Sequence, residues 1–582
     1  MDGAARTKVE PTAAEHRLAE KVAEKIAEED HPALNAILGA NPFVGIDAAQ
    51  VVGTLARFFG HLAAHPGAVV SRGAQLGLEI VQVAAGMSEI EPGAGDKRFG
   101  DPAWREHPIY RRMMQTYLAW RTAMHDLVGD DDFGDWKDAE QMRFAVTLMT
   151  EALAPTNTLA GNPAALKRVF DTAGMSLARG LKSLVTDVIY NGAMPEQVDK
   201  RPFEVGRNLA VSPGAVILRT PLCEVIQYSA ATEKVFERPV VLIPPQINKY
   251  YIMDLAPGRS FIEYAVKHGI QVFTISWRNP TPANRDWGLD DYVTACKQAI
   301  DAACEVTGSA DANVVAVCAG GITASLLLGH LAAAGENRVH AATLLVTMLD
   351  TSMPSMTGMF ATEDAITSAI AKSKRKGVLD GADMARVFAW LRPNDLVWNY
   401  WVNNYLMGQR PAAFDILYWN SDSTCLPAKL HEGFLGLFLT NPLMRPNEVT
   451  ILGTPINLKA VKNDIYLVAG MTDHICAWRA CYRSTRMFGG NVEFVLGSSG
   501  HIQSLVNPPG NFKARYYINQ RLPDDPDNWL KGASESKGSW WDHWLKWLTA
   551  RAGWEKTAPS NLGSEHYQPT DPAPGIYVHE RH

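Results

Sequence analysis

The stretch NVVAVCAGGITASLLLGHL, residues 313–331, leaves this chain few folds to choose from. A β-branched run ends at Cys318, two glycines follow almost at once, and an apolar helix-forming segment begins. A strand that turns sharply into a helix lifts the residue at the turn above the edge of a sheet, and small neighbours let the backbone close in. Such a nucleophile elbow requires a sheet beneath it and a helix packed behind. The first glycine of the usual G-x-S-x-G pattern is Ala316 here, so the pattern is A-x-C-x-G. Taken alone, these letters also suit a structural cysteine buried at a strand end.

The surrounding chain supplies that sheet. From residue 207, short β-branched runs alternate with helical segments: AVILRT (215–220), RPVVLIPP (238–245), IQVFTISW (270–277), ANVVAVC (312–318), AATLLVTM (341–348), DIYLVAG (464–470) and VEFVLG (492–497). That alternation predicts βαβ units and a mostly parallel sheet. In YVTACKQAIDAACEVTG, Ala295, Ile300 and Cys304 form an inward helical face. The succession stops between about 350 and 455, where aromatics and prolines crowd, as in LRPNDLVWNYWVNNYL, and the simplest reading is an insertion. Within it, Lys372, Lys374, Arg375 and Lys376 read as a solvated loop. Residues 1–206 read as mainly helical. Val51, Leu55, Phe58, Phe59 and Leu62 make a stripe behind a D-x-x-Q start at Asp47 and Gln50, and such stripes face a core more often than a partner. Near the end, Trp540, Trp541, Trp544 and Trp547 suggest an anchoring helix.

With 582 residues, 47% of them hydrophobic, the chain can fill two domains, expected at 1–206 and 207–582. A net charge of −7 gives no global reason to expect nucleic acid as a partner. Seven cysteines without CxxC spacing read as reduced thiols, and the charged N-terminus lacks the apolar core of a secretory signal. No apolar run approaches the ~18 residues of a transmembrane helix.

Two further residues complete a triad with Cys318, in the chain order nucleophile, acid, base that marks α/β-hydrolases. Asp473 follows DIYLVAG and His501 follows VEFVLG, both where loops leave the carboxyl ends of strands. In this arrangement His501 draws the proton from Cys318 while Asp473 fixes the imidazole. The amide of Ala319 is positioned to donate to an oxyanion, with Ile247, after VVLIPP, as the second donor. Sulfur carries information as well. A thioester on cysteine keeps the activation of an incoming thioester for a later attack by an alcohol, so cysteine suits acyl transfer from CoA to a hydroxyl.

Over residues 95–548 the chain resembles the polyhydroxyalkanoate synthases, in the phrases HPIYRRMMQTYLAW, APTNTLAGNP, IPPQINKYYIMDL, SWRNP, CAGGIT, LRPNDLVWNYWVNNYL, FDILYWNSD, TDHI, SSGHIQSLVNPPGN and KGSWWDHW. The resemblance implies an α/β-hydrolase fold with an inserted cap at about 350–455, preceded by a helical domain that supports dimerisation and granule association. It places Cys318, Asp473 and His501 at the nucleophile, acid and base positions, and it makes Trp398 and Gln503 candidates for the substrate channel. It further implies (R)-3-hydroxyacyl-CoA and the growing polyester as ligands, and no cofactor or metal. The implied setting is a cytoplasmic homodimer at the surface of polyester granules, beside granule-associated proteins. The length matches the single-polypeptide synthases. GHIQSLVNPPGN resembles the medium-chain branch, while other segments resemble the short-chain branch equally.

Two other readings use the same residues. A cysteine thioesterase or polyester depolymerase would use the triad with water as acceptor, and a silent granule-coating protein would keep Cys318 for structure alone. Polymer, free acid or no CoA release from 3-hydroxyacyl-CoA separates the three. The aromatic insertion also suggests a lid that keeps water from the thioester.

Overall fold

A computed structural model describes residues 48–93, 95–129, 136–353, 358–360 and 362–581. The described residues divide into two compact units, one of residues 48–200 with 383–417, the other of residues 201–382 with 418–581. The segment 350–455 is therefore shared: residues 383–417 group with the helical unit, and the flanking parts group with the sheet.

The helical unit is built on apolar faces. In α1 (Ala48–Ala64), Phe58 is fully buried against Val128, Met142 and Val146, with Leu62 packed alongside. Burial of one such phenylalanine contributes about 2–3 kcal/mol. Phe59 departs from the expected stripe and lies 56% exposed, because the buried face is narrower than five residues; Asp47 and the side chain of Val51 fall outside the described residues. A second cluster joins Phe99, Trp104, Met114, Tyr117 and Ala154. Residues 383–417 belong to this unit for identifiable reasons. Gly180, on α2 (Met175–Tyr190), lies so close to the carbonyl of Tyr405 that any Cβ there would collide with it. The Tyr405 hydroxyl donates to Asp187 Oδ2 at 2.8 Å, and Asn404 Nδ2 donates to the Glu196 carbonyl at 2.7 Å. Trp401 Nε1 donates to the Asn157 carbonyl at 3.1 Å, so the phrases APTNTLAGNP and NYWVNNYL meet.

The second unit carries a ten-stranded sheet: β1 (Gly214–Arg219), β2 (Cys223–Tyr228), β3 (Val240–Ile243), β4 (Val272–Trp277), β5 (Ala312–Val317), β6 (Val339–Leu345), β7 (Asp464–Gly470), β8 (Val492–Gly497), β9 (Arg515–Ile518) and β10 (Ser534–Lys537). Their order is β1-β2-β4-β3-β5-β6-β7-β8-β9-β10. The six central strands are parallel, and two antiparallel strands flank them on each side. All seven expected strands are present. The parallel centre is buried on both faces, which is why its strands read as unbroken Val, Ile, Leu and Ala runs. In α3 (Leu289–Thr307) the expected face, Ala295, Ile300 and Cys304, is buried. The lysine-rich run is no loop; it is the last turn of α5 (Glu363–Lys376), which follows α4 (Ala319–Ala334) and is capped by Thr362. Acidic residues in its first turn and basic ones in its last suit the helix dipole, and Lys374 pairs with Glu432, Lys376 with Asp380.

Residues 555–581 strap this unit. Residues Glu555–Thr557 pair with Lys234–Phe236, and further on Val216 N donates to the Asp571 carbonyl while Ala573 N donates to that of Gly214, covering the free edge of β1. The backbone N–H groups of Ile576 and Tyr577 donate to the fully buried Glu224 carboxylate. Lys249, also buried, donates to the carbonyls of Tyr577 and Glu580. Without the strap both charges would lose these partners, which is costly in a low-dielectric interior. No helix among the described residues is long and apolar enough to cross a membrane.

Candidate active site

The elbow forms where the sequence places it. Cys318 follows β5 at φ 51° and ψ −117°, a conformation an L-residue adopts only when its surroundings impose it. Its N–H donates to the Leu345 carbonyl at 2.9 Å, and its own carbonyl accepts from Gly321 N at 2.9 Å as α4 starts. The two glycines are required by close approach. A Cβ on Gly320 would meet the carbonyl oxygens of Ile243 and Pro244, and one on Gly321 would collide with Thr347 Oγ1. Ala316, in the place of the usual glycine, is fully buried within β5.

Asp473 and His501 are brought beside Cys318 by the coupled ends of β7 and β8. Met471 N donates to the Gly497 carbonyl at 2.7 Å and Thr472 N to that of Ser499 at 3.2 Å. Asp473 Oδ2 accepts from His501 Nδ1 at 2.6 Å, which leaves Nε2 for Cys318. His501 opens α6 (His501–Leu505), and this helix is held from behind by α7 (Trp540–Thr549). Trp540 Nε1 donates to the Ser504 carbonyl at 2.7 Å and Trp541 Nε1 to that of Leu505 at 3.2 Å. The tryptophan-rich helix thus steadies the base as well as filling core.

A residue that sequence reasoning missed joins the triad. Cys476 is buried, and its Sγ, the Sγ of Cys318 and a ring nitrogen of His501 all lie within 4.8 Å of one another. Asp473 places it: Oδ1 accepts from Ile475 N at 2.8 Å and Cys476 N at 2.9 Å, a side-chain-capped turn of the kind aspartate makes with residues two and three ahead. The signal was present as Asp-x-x-Cys directly after a strand end.

The electrostatics follow from these contacts. Hydrogen bonding from Cys476 and then the hydrogen bond and charge of His501 outweigh burial, and the Cys318 thiol falls from its ordinary range to about 5. For His501, burial works to lower the pKa but yields to the charge and hydrogen bond of Asp473 and to Cys318, and the imidazole rises to about 10. Cys476 is pushed well up by Cys318 and by burial, so it stays a thiol and a donor. Both shifts favour the thiolate and the imidazolium. The rate of alkylation of Cys318 is expected to rise with pH around a midpoint near 5, measured on the peptide that contains it. Cys476→Val, which removes the donor, moves that midpoint upward; an unmoved midpoint would show that Cys476 does not tune the thiol.

The remaining expected site residues are placed as follows. Ala319 is the first residue of α4, so its N–H lies outside the intrahelical ladder, at the positive end of the helix. Ile247 is buried on the loop after β3; its carbonyl accepts from Thr424 N at 3.2 Å, and Gln246 Nε2 donates to Thr323 Oγ1 on α4 at 3.0 Å. Gln503 is exposed, two residues after His501 on a helix, which turns its side chain away from that of His501. Trp398 belongs to the helical unit, where its ring packs edge-on against Trp390 and Trp401.

Comparison with known proteins covers nearly all of this chain. Residues 95–265 match the family model described as poly-beta-hydroxybutyrate polymerase N-terminus, and residues 239–508 match that of the alpha/beta hydrolase fold. The chain is 49% identical to poly(3-hydroxyalkanoate) polymerase 1 of Ectopseudomonas oleovorans, over 94% of this chain and 97% of that protein. It is 47% identical to polymerase 2 of the same organism, over 92% and 96%. With the polymerase subunit of Cupriavidus necator it shares 38% identity over 85% of each chain. The hydrolase match spans the elbow and both strand-end loops, and by relatives this similar over this much of its length the chain belongs to the poly(3-hydroxyalkanoate) polymerase family, the polyhydroxyalkanoate synthases of the α/β-hydrolase fold.

Proposed function

We propose that this chain polymerises (R)-3-hydroxyacyl-CoA into polyester, with release of CoA, through a thioester on Cys318. The observation that carries the reading is a cysteine on a strained elbow, beside an imidazole held by Asp473, in a chain whose polymerase relatives it matches nearly end to end. In the acylation step, Cys318 Sγ attacks the thioester carbonyl. The oxyanion accepts from the N–H of Ala319 and, on this reading, of Ile247. Collapse breaks the bond to CoA, and His501 gives its proton to the departing sulfur. In elongation, neutral His501 takes the proton of a 3-hydroxyl group, whose oxygen attacks the acyl thioester; an ester bond forms, and the C–S bond to Cys318 breaks. The steps call for no cofactor.

Parts of the inserted segment support the oxyanion loop. Thr424 Oγ1 donates to the Gln246 carbonyl at 2.7 Å, and Thr424 N holds that of Ile247. A lid role for the segment rests on this attachment, and a channel role for Trp398 rests on the family phrase that contains it. Granule association and dimerisation both call for an apolar docking surface, and α2 offers one, where Met175, Leu181, Val185, Val188, Ile189 and Tyr190 are all exposed. Incubation of the purified chain with 3-hydroxyacyl-CoA thioesters of several lengths tests the activity: polymer with stoichiometric CoA is expected. Free acid alone would instead make it a hydrolase, and no CoA release a silent protein.

A further inference from the structure

We infer that Cys318, Cys476 and His501 together form a binding site for a thiophilic divalent cation, Zn²⁺ foremost, whose occupation silences the nucleophile. The three donor atoms lie within 4.8 Å of one another. A tetrahedral zinc with bonds of about 2.3 Å to sulfur and about 2.0 Å to nitrogen needs its ligands roughly 3.5–3.8 Å apart. The site is thus within about 1 Å of that geometry, a gap that small side-chain rotations close. A triad needs only one thiol, and the second is what turns a catalytic pair into a three-ligand set.

The surroundings are those of a built metal site. A histidine ligand usually has its other ring nitrogen held by a carboxylate, which fixes the tautomer and aims the lone pair. Asp473 does this for His501 at 2.6 Å, and its second oxygen fixes the backbone of Cys476, so one carboxylate orients two of the three ligands. Two sulfurs and an imidazole select soft or borderline ions and discriminate against Mg²⁺ and Ca²⁺, which take oxygen ligands. Cys476 and His501 are buried and Cys318 is partly exposed, and the three-ligand set leaves a fourth position for water or a free thiol. With metal on Sγ and on the imidazole, neither attack nor proton transfer can proceed, and a chelator restores both.

Metal binding stands on the geometry alone, whereas inhibition rests on the function proposed above, and the two are separable. The probe is Co²⁺ added to the reduced, metal-stripped full chain. One equivalent is expected to give a thiolate-to-cobalt charge-transfer band, which Zn²⁺ displaces and Mg²⁺ does not. Cys476→Ser and Cys318→Ser should each abolish the tight site, and Asp473→Asn should weaken it by about 10- to 100-fold. Should Cys476→Ser fold poorly, protection of wild-type Cys318 from alkylation by one equivalent of Zn²⁺ gives the same answer. The proposal is overturned by a wild type without the band, by a band that survives in both serine variants, or by unprotected Cys318. Tight binding that leaves CoA release untouched would overturn the catalytic assignment and leave the metal site standing.

Discussion

Cys318→Ala is expected to abolish acyl-enzyme formation and to lower CoA release by about 10⁴-fold or more, as removal of the nucleophile does in triad enzymes. The variant keeps the helix N-terminus and the His501–Asp473 pair, and it loses the only sulfur at the elbow. Cys476 does not take over. It lies off the elbow, on the turn held by Asp473, and burial still raises its thiol. Labelled 3-hydroxyacyl-CoA provides the test, with digestion to find the labelled peptide. Equal labelling of wild type and variant would remove Cys318 from the mechanism, and label on the peptide of Cys476 would transfer the role.

His501→Gln and Asp473→Asn are each expected to cost about a thousandfold or more in CoA release, roughly 4 kcal/mol in barrier. They should do so differently. Loss of the imidazolium removes the proton carrier and one of the groups that hold Cys318 down, so alkylation of Cys318 shifts to higher pH along with activity. In Asp473→Asn, the amide oxygen can still accept from the backbone N–H groups of Ile475 and Cys476, but the amide nitrogen then faces His501 Nδ1 and favours the tautomer with its proton on the wrong nitrogen. The turn bearing Cys476 survives while the base is misdirected. Single-turnover CoA release paired with Cys318 alkylation measures both effects, and near-wild-type turnover in either variant would end its assignment.

The parallel centre of the sheet and the convergence of Cys318, Asp473 and His501 were legible in the sequence because burial on both faces and placement at strand ends both leave local marks. What escaped was nonlocal. β2, CEVIQY, carries Glu224 and Gln227 on a fully buried strand, and its glutamate is acceptable there only because Arg219 and the backbone of residues 576 and 577 neutralise and bond it. β9, RYYI, is half-exposed along its length and β10, SESK, is a mostly exposed edge strand, and neither has an alternating apolar pattern to find. The grouping of 383–417 with the helical unit depends on Gly180 and Asp187 meeting Tyr405, contacts more than two hundred residues apart. Phe59 misled because a stripe of five apolar letters does not reveal how wide the facing groove is. The role of Cys476 became visible only once Asp473 was seen to bond two amides as well as an imidazole.

The strap of residues 555–581 sets a schedule for biosynthesis. Chains leave the ribosome from the amino end, and earlier segments begin to fold while later ones are still being made. Here Glu224 and Lys249 acquire their backbone partners, and β1 its edge cover, only from residues synthesised more than three hundred positions later. The sheet unit cannot close until residues 555–581 have been made; before then it has an open strand edge at β1 and two under-bonded charges. A chain that stops between α6 and residue 555 therefore carries all three triad residues with its sheet unsealed, the form most prone to pair edge to edge with its neighbours on the same message.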